Sequence, residues 1–176
     1  MQPASAIDIE PAVSLLGKTP QLLETLLGDL PADVLDWKPK PERWSVFEIL
    51  AHLAALEQVY AERVRRIMAE DSPRLAKYDL DGAKARQEYS RGSADENLEH
   101  FTRLRRASLA LLAGLPPSAC ARTAIHSELG VITLAHLLNE WANHDLGHLR
   151  QIEELYRAHA FHPHSGPFMK YSNPLP

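Results

Sequence analysis

The sequence predicts an all-α protein, a four-helix bundle with one longer crossover connection and an irregular C-terminal tail. Three observations lead there. Apolar residues recur at helical spacing in four stretches. Two S-x-x-E capping boxes stand directly before such stretches, where helices start. No segment shows convincing strand alternation, and there is no internal repeat or low-complexity block.

The first helix is expected over about residues 8–29, with Ile9, Val13, Leu16, Leu23, Leu26, Leu27 and Leu30 near one face. Pro20 interrupts it, so a kink or a late start is expected. Gly28 and Pro31 mark its end, and the three prolines of PADVLDWKPKPERW make the next stretch an irregular connection. The second helix starts at Ser45, which pairs with Glu48 in a capping box, and runs through Leu50, Leu53, Leu56, Tyr60, Val64 and Ile67. Asp71-Ser-Pro73 stops it.

Residues 74–92 are polar and poorly patterned, with Gly82 and Gly92 as breakers, and hold at most one short helix. Ser93 and Glu96 open the third long helix, whose stripe includes Leu98, Phe101, Leu104, Leu109 and Leu112, and which ends near Gly114. A loop carries Cys120 and His126. Thr133 caps the fourth helix, which reaches about His159, and the proline- and glycine-rich tail HPHSGPFMKYSNPLP is expected to be non-helical.

A length of 176 residues with 45% hydrophobic content suits one domain, residues 1–176, with a core that needs no staple. The net charge of −4 offers no basic field for phosphate backbones, so nucleic acid is not an expected partner. No apolar run approaches the roughly 18 residues of a membrane span, and MQPASAIDIEPAV lacks the marks of a secretory signal. Cytoplasm is the default compartment. Cys120 is the only cysteine, so no internal disulfide can form.

The histidines carry the functional signal. His144 and His148 lie four residues apart in NEWANHDLGHLRQIEEL, offset by about 40° around a helix and about 6 Å along it. Two imidazoles so placed can reach one ion. Alone, H-x-x-x-H is a weak signal, since surface or hydrogen-bonded histidines share it. Gly147 is costly within a helix, and its missing side chain is expected to clear space beside the ligands. His52, within the apolar run ILAHLAAL, is the best third ligand; a buried histidine bonded to a backbone carbonyl is the competing reading. Three neutral imidazoles would leave a position open for water or substrate on Zn²⁺, and Ni²⁺ or Fe²⁺ could use the same nitrogens. His136 lies two turns before His144 but is rotated by roughly 80°, and is expected to face elsewhere. His100, His126, His159, His162 and His164 read as surface or loop residues.

RWSVFEILAHLAALE around His52 and NHDLGHLRQI around His144 and His148 resemble the DinB superfamily, the DinB/YfiT-like proteins. The resemblance implies a four-helix bundle, often dimeric, with His52, His144 and His148 as metal ligands near one end. It also implies small-molecule chemistry: some relatives are thiol-dependent enzymes, including bacillithiol transferases and a mycothiol-dependent maleylpyruvate isomerase. One departure is that many relatives carry a second histidine directly before the last ligand, where this chain has Gly147.

Other constellations fit less well. His144 is followed by Asp-Leu-Gly, with no glutamate in the H-E-x-x-H position. No histidine has a glutamate three residues earlier, as a di-iron bundle requires, and Asp145-x-x-His148 is the nearest approach. Glu48 and Glu140, one turn before His52 and His144, could orient a ligand, although capping suits Glu48 better and a solvated face is open to Glu140. Trp44 and Trp141 are expected to brace the bundle rather than stack on substrate. Cys120 has only Arg122 nearby to activate it as a nucleophile.

The leading functional expectation is a metal-dependent thiol S-transferase, with a low-molecular-weight thiol as co-substrate and a small electrophile as the other. The alternatives are a hydrolase that activates water at the same ion, and a non-catalytic, metal-stabilised binding or stress-response module.

Overall fold

A computed structural model describes residues 8–28, 30–90 and 92–171. Four long helices form the bundle: α1 (Glu10–Gly28), α3 (Val46–Ala69), α5 (Ala94–Ala113) and α6 (Leu134–Tyr156), with the short helices α2 (Ala32–Asp36) and α4 (Leu80–Ala85) between them. Helix α3 packs along α5, α1 against α5 and α6, and α3 against α6. No helix among the described residues is long and apolar enough to cross a membrane.

Local sequence signals set the helix starts. Ser45 with Glu48 and Ser93 with Glu96 form reciprocal capping boxes on α3 and α5. Thr133 caps α6 in the same way with His136 in the place of the acid. Glu48 also pairs with Lys38 at 2.6 Å, so its role is structural.

Pro20 lies inside α1 without stopping it. A proline has no N–H to offer the carbonyl four residues back. That carbonyl, Leu16 O, instead accepts from Arg105 Nη1 at 2.8 Å.

The structure departs from the sequence reading in the connections between the long helices. The proline-rich connection after α1 contains α2, and α4 runs through Gly82 rather than being broken by it. The tail is irregular, as expected: α6 passes into a wider π-type turn (Arg157–Phe161), and the chain then makes only short 3-10 turns at His162–His164 and Gly166–Tyr171. Residues 172–176 lie outside the described residues. A small sheet is present, with β1 (Arg74–Leu75) parallel to β2 (Thr123–His126) and β2 antiparallel to β3 (Gly130–Thr133). These strands of two to four residues are too short to show alternation. They stitch the α3–α5 connection to the α5–α6 connection. Gly130, at φ +71°, closes the hairpin between β2 and β3, a conformation that favours glycine. His126, expected in an exposed loop, is buried in β2.

Among the described residues, two large apolar clusters lie along the bundle, with a small third around Ala51, Ala83 and Tyr89. One large cluster gathers Leu16, Tyr60, Val64, Leu112, Leu138 and Trp141. The other gathers Leu23, Ile49, Leu53, Phe101, Ile152 and Leu155. On α6 the first cluster ends at Ala142 and the second resumes at Ile152, and the gap holds His144, Asp145 and His148. A polar layer therefore sits where the two clusters meet.

Candidate metal centre

Helix α3 supplies His52 and α6 supplies His144 and His148. The Nε2 of His144 stands 3.2 Å from the Nε2 of His52 and 3.2 Å from that of His148. One ring nitrogen from each of the three lies within 4.8 Å of the other two. Bonds of about 2.0–2.1 Å at tetrahedral angles would separate ligand nitrogens by about 3.3–3.4 Å, so these spacings suit a shared divalent cation.

Hydrogen bonding alone satisfies the cluster poorly. His148 Nδ1 faces Gln151 Oε1 at 2.9 Å, and an amide oxygen accepts, so Nδ1 carries the proton and the Nε2 lone pair points to the centre. A single N–H on His144 Nε2 serves only one of its two neighbours. A cation between them takes a lone pair from all three. His52 Nδ1 is buried without a hydrogen-bond partner; the ring is held by contact, with Trp44 at 4.6 Å and Tyr89 at 5.2 Å between centroids. Trp44 also stacks on His148, 5.9 Å away at 11°, and Tyr60 meets His144 edge-on at 5.8 Å.

Burial pushes the His52 imidazole from 6.5 to about 2, assisted by His148, His144 and Lys84. Burial, His148 and Arg105 bring His144 to about 3. His148 is also lowered by burial, against the opposing pull of Gln151 and Asp145. All three rings are neutral near pH 7, the form that ligates. In the metal-free protein, the unfolded chain takes up protons as pH falls through about 6.5, while folded His144 and His52 resist until about 3 or below and His148 is shifted in the same direction. Stability should therefore fall with pH across that window. Urea unfolding at about pH 7.5 and about pH 4.5 checks this: the acid loss should be larger for the wild type than for a variant with glutamine at all three positions. Equal losses would show that the rings are not held neutral.

The three rings line a cavity of about 430 Å³, whose walls include Arg43, Trp44, Lys84, Gln151 and Glu154. Trp44 thus faces the site, whereas Trp141 is a core residue stacked on Tyr60. His136 stands apart from the three, its Nδ1 accepting from the Thr133 N–H. Glu140 is exposed and accepts from Asn143. Cys120 lies in the 3-10 turn Pro117–Ala121. Gly147 does not clear space: a Cβ there would meet nothing within 4 Å. Gly147→Ala is accordingly expected to raise stability by up to about 1 kcal/mol, read by thermal or urea unfolding, with metal stoichiometry unchanged. A destabilised variant would mean that the glycine backbone itself is needed.

Behind the histidines lies an ionic group absent from the sequence reading. Arg105 on α5 donates Nε to Glu57 Oε1 at 2.9 Å and Nη2 to Glu57 Oε2 at 2.7 Å. It donates Nη1 to Asp145 Oδ2 at 2.7 Å and Nη2 to Asp145 Oδ1 at 3.2 Å. With Leu16 O as a further acceptor, all five guanidinium N–H groups are used. Trp141 Nε1 donates to Glu57 at 3.1 Å and Thr19 Oγ1 to Asp145 at 2.7 Å. Arg105, Glu57 and Asp145 are each 1% exposed. Asp145 follows His144 directly, so the group that locks α6 to α1, α3 and α5 adjoins a candidate ligand.

Residues 15–152 match the profile of the DinB superfamily. The chain belongs to that family. A relative from Oceanobacillus iheyensis, named "Putative metal-dependent hydrolase", is 26% identical over 136 residues, covering 77% of this chain and 78% of its own. Among solved structures, the chain is similar to YfiT from Bacillus subtilis, with a TM-score of 0.79 and 22% identity over 90% of this chain and 93% of YfiT. YfiT is described as "a probable metal-dependent hydrolase with an unusual four-helix bundle topology". That likeness shows the shared fold.

Proposed function

We propose that this DinB protein is a divalent-metal enzyme in which His52, His144 and His148 hold the ion, and that its reaction is transfer of a thiol sulfur to a small electrophile. The observation that carries the reading is the convergence of three neutral imidazole nitrogens, two spacings of 3.2 Å, in the wall of an open cavity of about 430 Å³. Three protein ligands leave room for an exogenous one, whereas closed structural zinc takes four. A divalent cation there supplies positive charge that favours the thiolate over a thiol whose free pKa is near 8.5.

The chain's own residues do the rest. Gln151 fixes the His148 tautomer, and Trp44 and Tyr89 hold the His52 ring. The cavity accepts a small molecule against Trp44, Ile49 and Leu155 while Arg43 and Lys84 stand within its walls. In the transfer, sulfur bonds to the electrophilic carbon, the leaving group departs with its electron pair, and the thiol proton passes to solvent.

Hydrolysis at the same centre is the second reading, and the names of the two relatives favour it. The two separate in one experiment. Protein loaded with Co²⁺ or Ni²⁺ is titrated with thiols while its absorption is recorded, and electrophile and ester turnover are followed with and without thiol. A sulfur-to-metal band and thiol-dependent turnover are expected. No band at millimolar thiol, with ester turnover in its absence, would replace transfer by hydrolysis.

A further inference from the structure

Beside the triad cavity lies a second one of about 360 Å³, and Glu42, Arg43, Trp44 and Lys84 line both. The shared wall sets the two spaces side by side, with the histidines lining the first. The second space adds Lys38, Glu48, Gln87, Tyr89 and Ser90. Lys38 is neutralised by Glu48 at 2.6 Å. Among the described residues, Arg43 and Lys84 enter no ion pair, although Lys77 and Arg86 on the neighbouring segments both find carboxylates. Glu42 is the one unpaired carboxylate on this wall. With Glu48 paired to Lys38 and Glu154 to Arg150, the unpaired groups are two cations and one carboxylate, and the excess is positive.

Lys84 is placed by its surroundings. Ala83, 1% exposed, anchors α4 against Ala51 and Tyr89, and the next residue is thereby carried to the shared wall. The Lys84 ammonium stands 5.0 Å from the centre of the Trp44 ring, an attraction that holds a cation without neutralising it. The same indole stacks on His148 and touches His52. One aromatic ring thus separates a positioned, unpaired ammonium from the candidate metal centre.

We propose that Lys84 and Arg43 form an anion subsite, and that the substrate class is a small molecule whose carboxylate or phosphate binds there while its reacting end reaches the triad. This deepens the proposed function and rests on its assignment of the triad as the reaction centre. Arg43 offers a planar fork and Lys84 a point charge, a pair suited to either oxyanion. Trp44 stands between the two.

The test compares two thiols that differ in charge. Isothermal titration into Co²⁺-loaded protein is expected to show 3-mercaptopropionate binding about tenfold more tightly than 2-mercaptoethanol, the size of one charge-assisted contact. Lys84→Met with Arg43→Met should erase that preference while leaving metal stoichiometry and 2-mercaptoethanol affinity unchanged. Lys84→Arg should preserve it, which separates charge from mere packing on Trp44. A preference that survives in the double variant overturns the proposal, as does wild-type protein that binds neither succinate nor inorganic phosphate. Succinate and inorganic phosphate, titrated into metal-free protein and its double variant, form an independent arm. Binding lost in the variant supports the subsite even where thiols give no band, and so separates its fate from that of the transferase reading. The tighter of the two identifies carboxylate or phosphate as the cognate group.

Discussion

Arg105→Met is expected to lower the unfolding free energy by about 3–5 kcal/mol, the largest effect of any single replacement considered for this chain. The reason is what the replacement leaves behind. Glu57 and Asp145 are each 1% exposed and share the guanidinium as their common counter-ion. Without it, two carboxylates remain buried near one another, and one or both must take a proton or open the bundle to water. Trp141 and Thr19 still donate to them, but neither brings a charge. Urea unfolding at neutral pH reads the loss as a lowered midpoint. Removing all three charges together, with Glu57→Gln and Asp145→Asn added, should recover much of it, because an apolar or neutral replacement of a whole buried group is tolerated better than a broken one. A single variant within 1 kcal/mol of wild type would show that water already reaches this layer.

His144→Ala should weaken divalent-metal binding by more than about 100-fold, beyond the 10–100-fold typical of residues that only support a ligand. Its Nε2 is the one that lies 3.2 Å from both of the others, so its loss removes the middle of the constellation. Competition against a chromophoric chelator measures the change, and His136→Ala serves as the control that should do nothing to affinity. The metal-free His144→Ala protein should still fold, since both large apolar clusters are untouched. Undiminished stoichiometric binding by the variant would move the ion elsewhere.

How far the sequence foretold these features depends on the range over which each is encoded. Ser45, Ser93 and Thr133 mark helix starts through residues three positions away, so the caps on α3, α5 and α6 could be read directly. The bundle followed from apolar periodicity. Of the candidate site, His144 and His148 were legible because helix geometry alone sets their spacing. His52 was legible as a third-ligand candidate because it is a polar residue in an apolar run, with a buried, carbonyl-bonded histidine as the competing reading until the resemblance favoured the ligand. The sheet was not legible, because β1 pairs with β2 about fifty residues later and each strand is too brief to carry a pattern.

The ionic layer had a signal that went unread. Glu57 falls among the apolar positions Leu53, Leu56, Tyr60 and Ala61, and Arg105 falls four residues after Phe101 and seven before Leu112. A charge on the buried face of an amphipathic helix calls for an opposite charge on another. Gln151 likewise lies one turn beyond His148 on the same face. Lys84 carried no comparable mark, since its place over Trp44 depends on how a six-residue helix docks.

The proline in α1 gives that ionic layer its completeness. A guanidinium has five hydrogens to place, and two carboxylates gripped side-on take four of them. The fifth finds a carbonyl that an uninterrupted helix would have kept for itself. A residue that ordinarily weakens a helix here lends a lone pair to a neighbouring strut, so the imperfection in one rod is part of the joint that fastens four. Lysine, with three hydrogens and no fork, could not occupy the same joint. Restoring an ideal α1 would make the arginine share that carbonyl with a helix N–H.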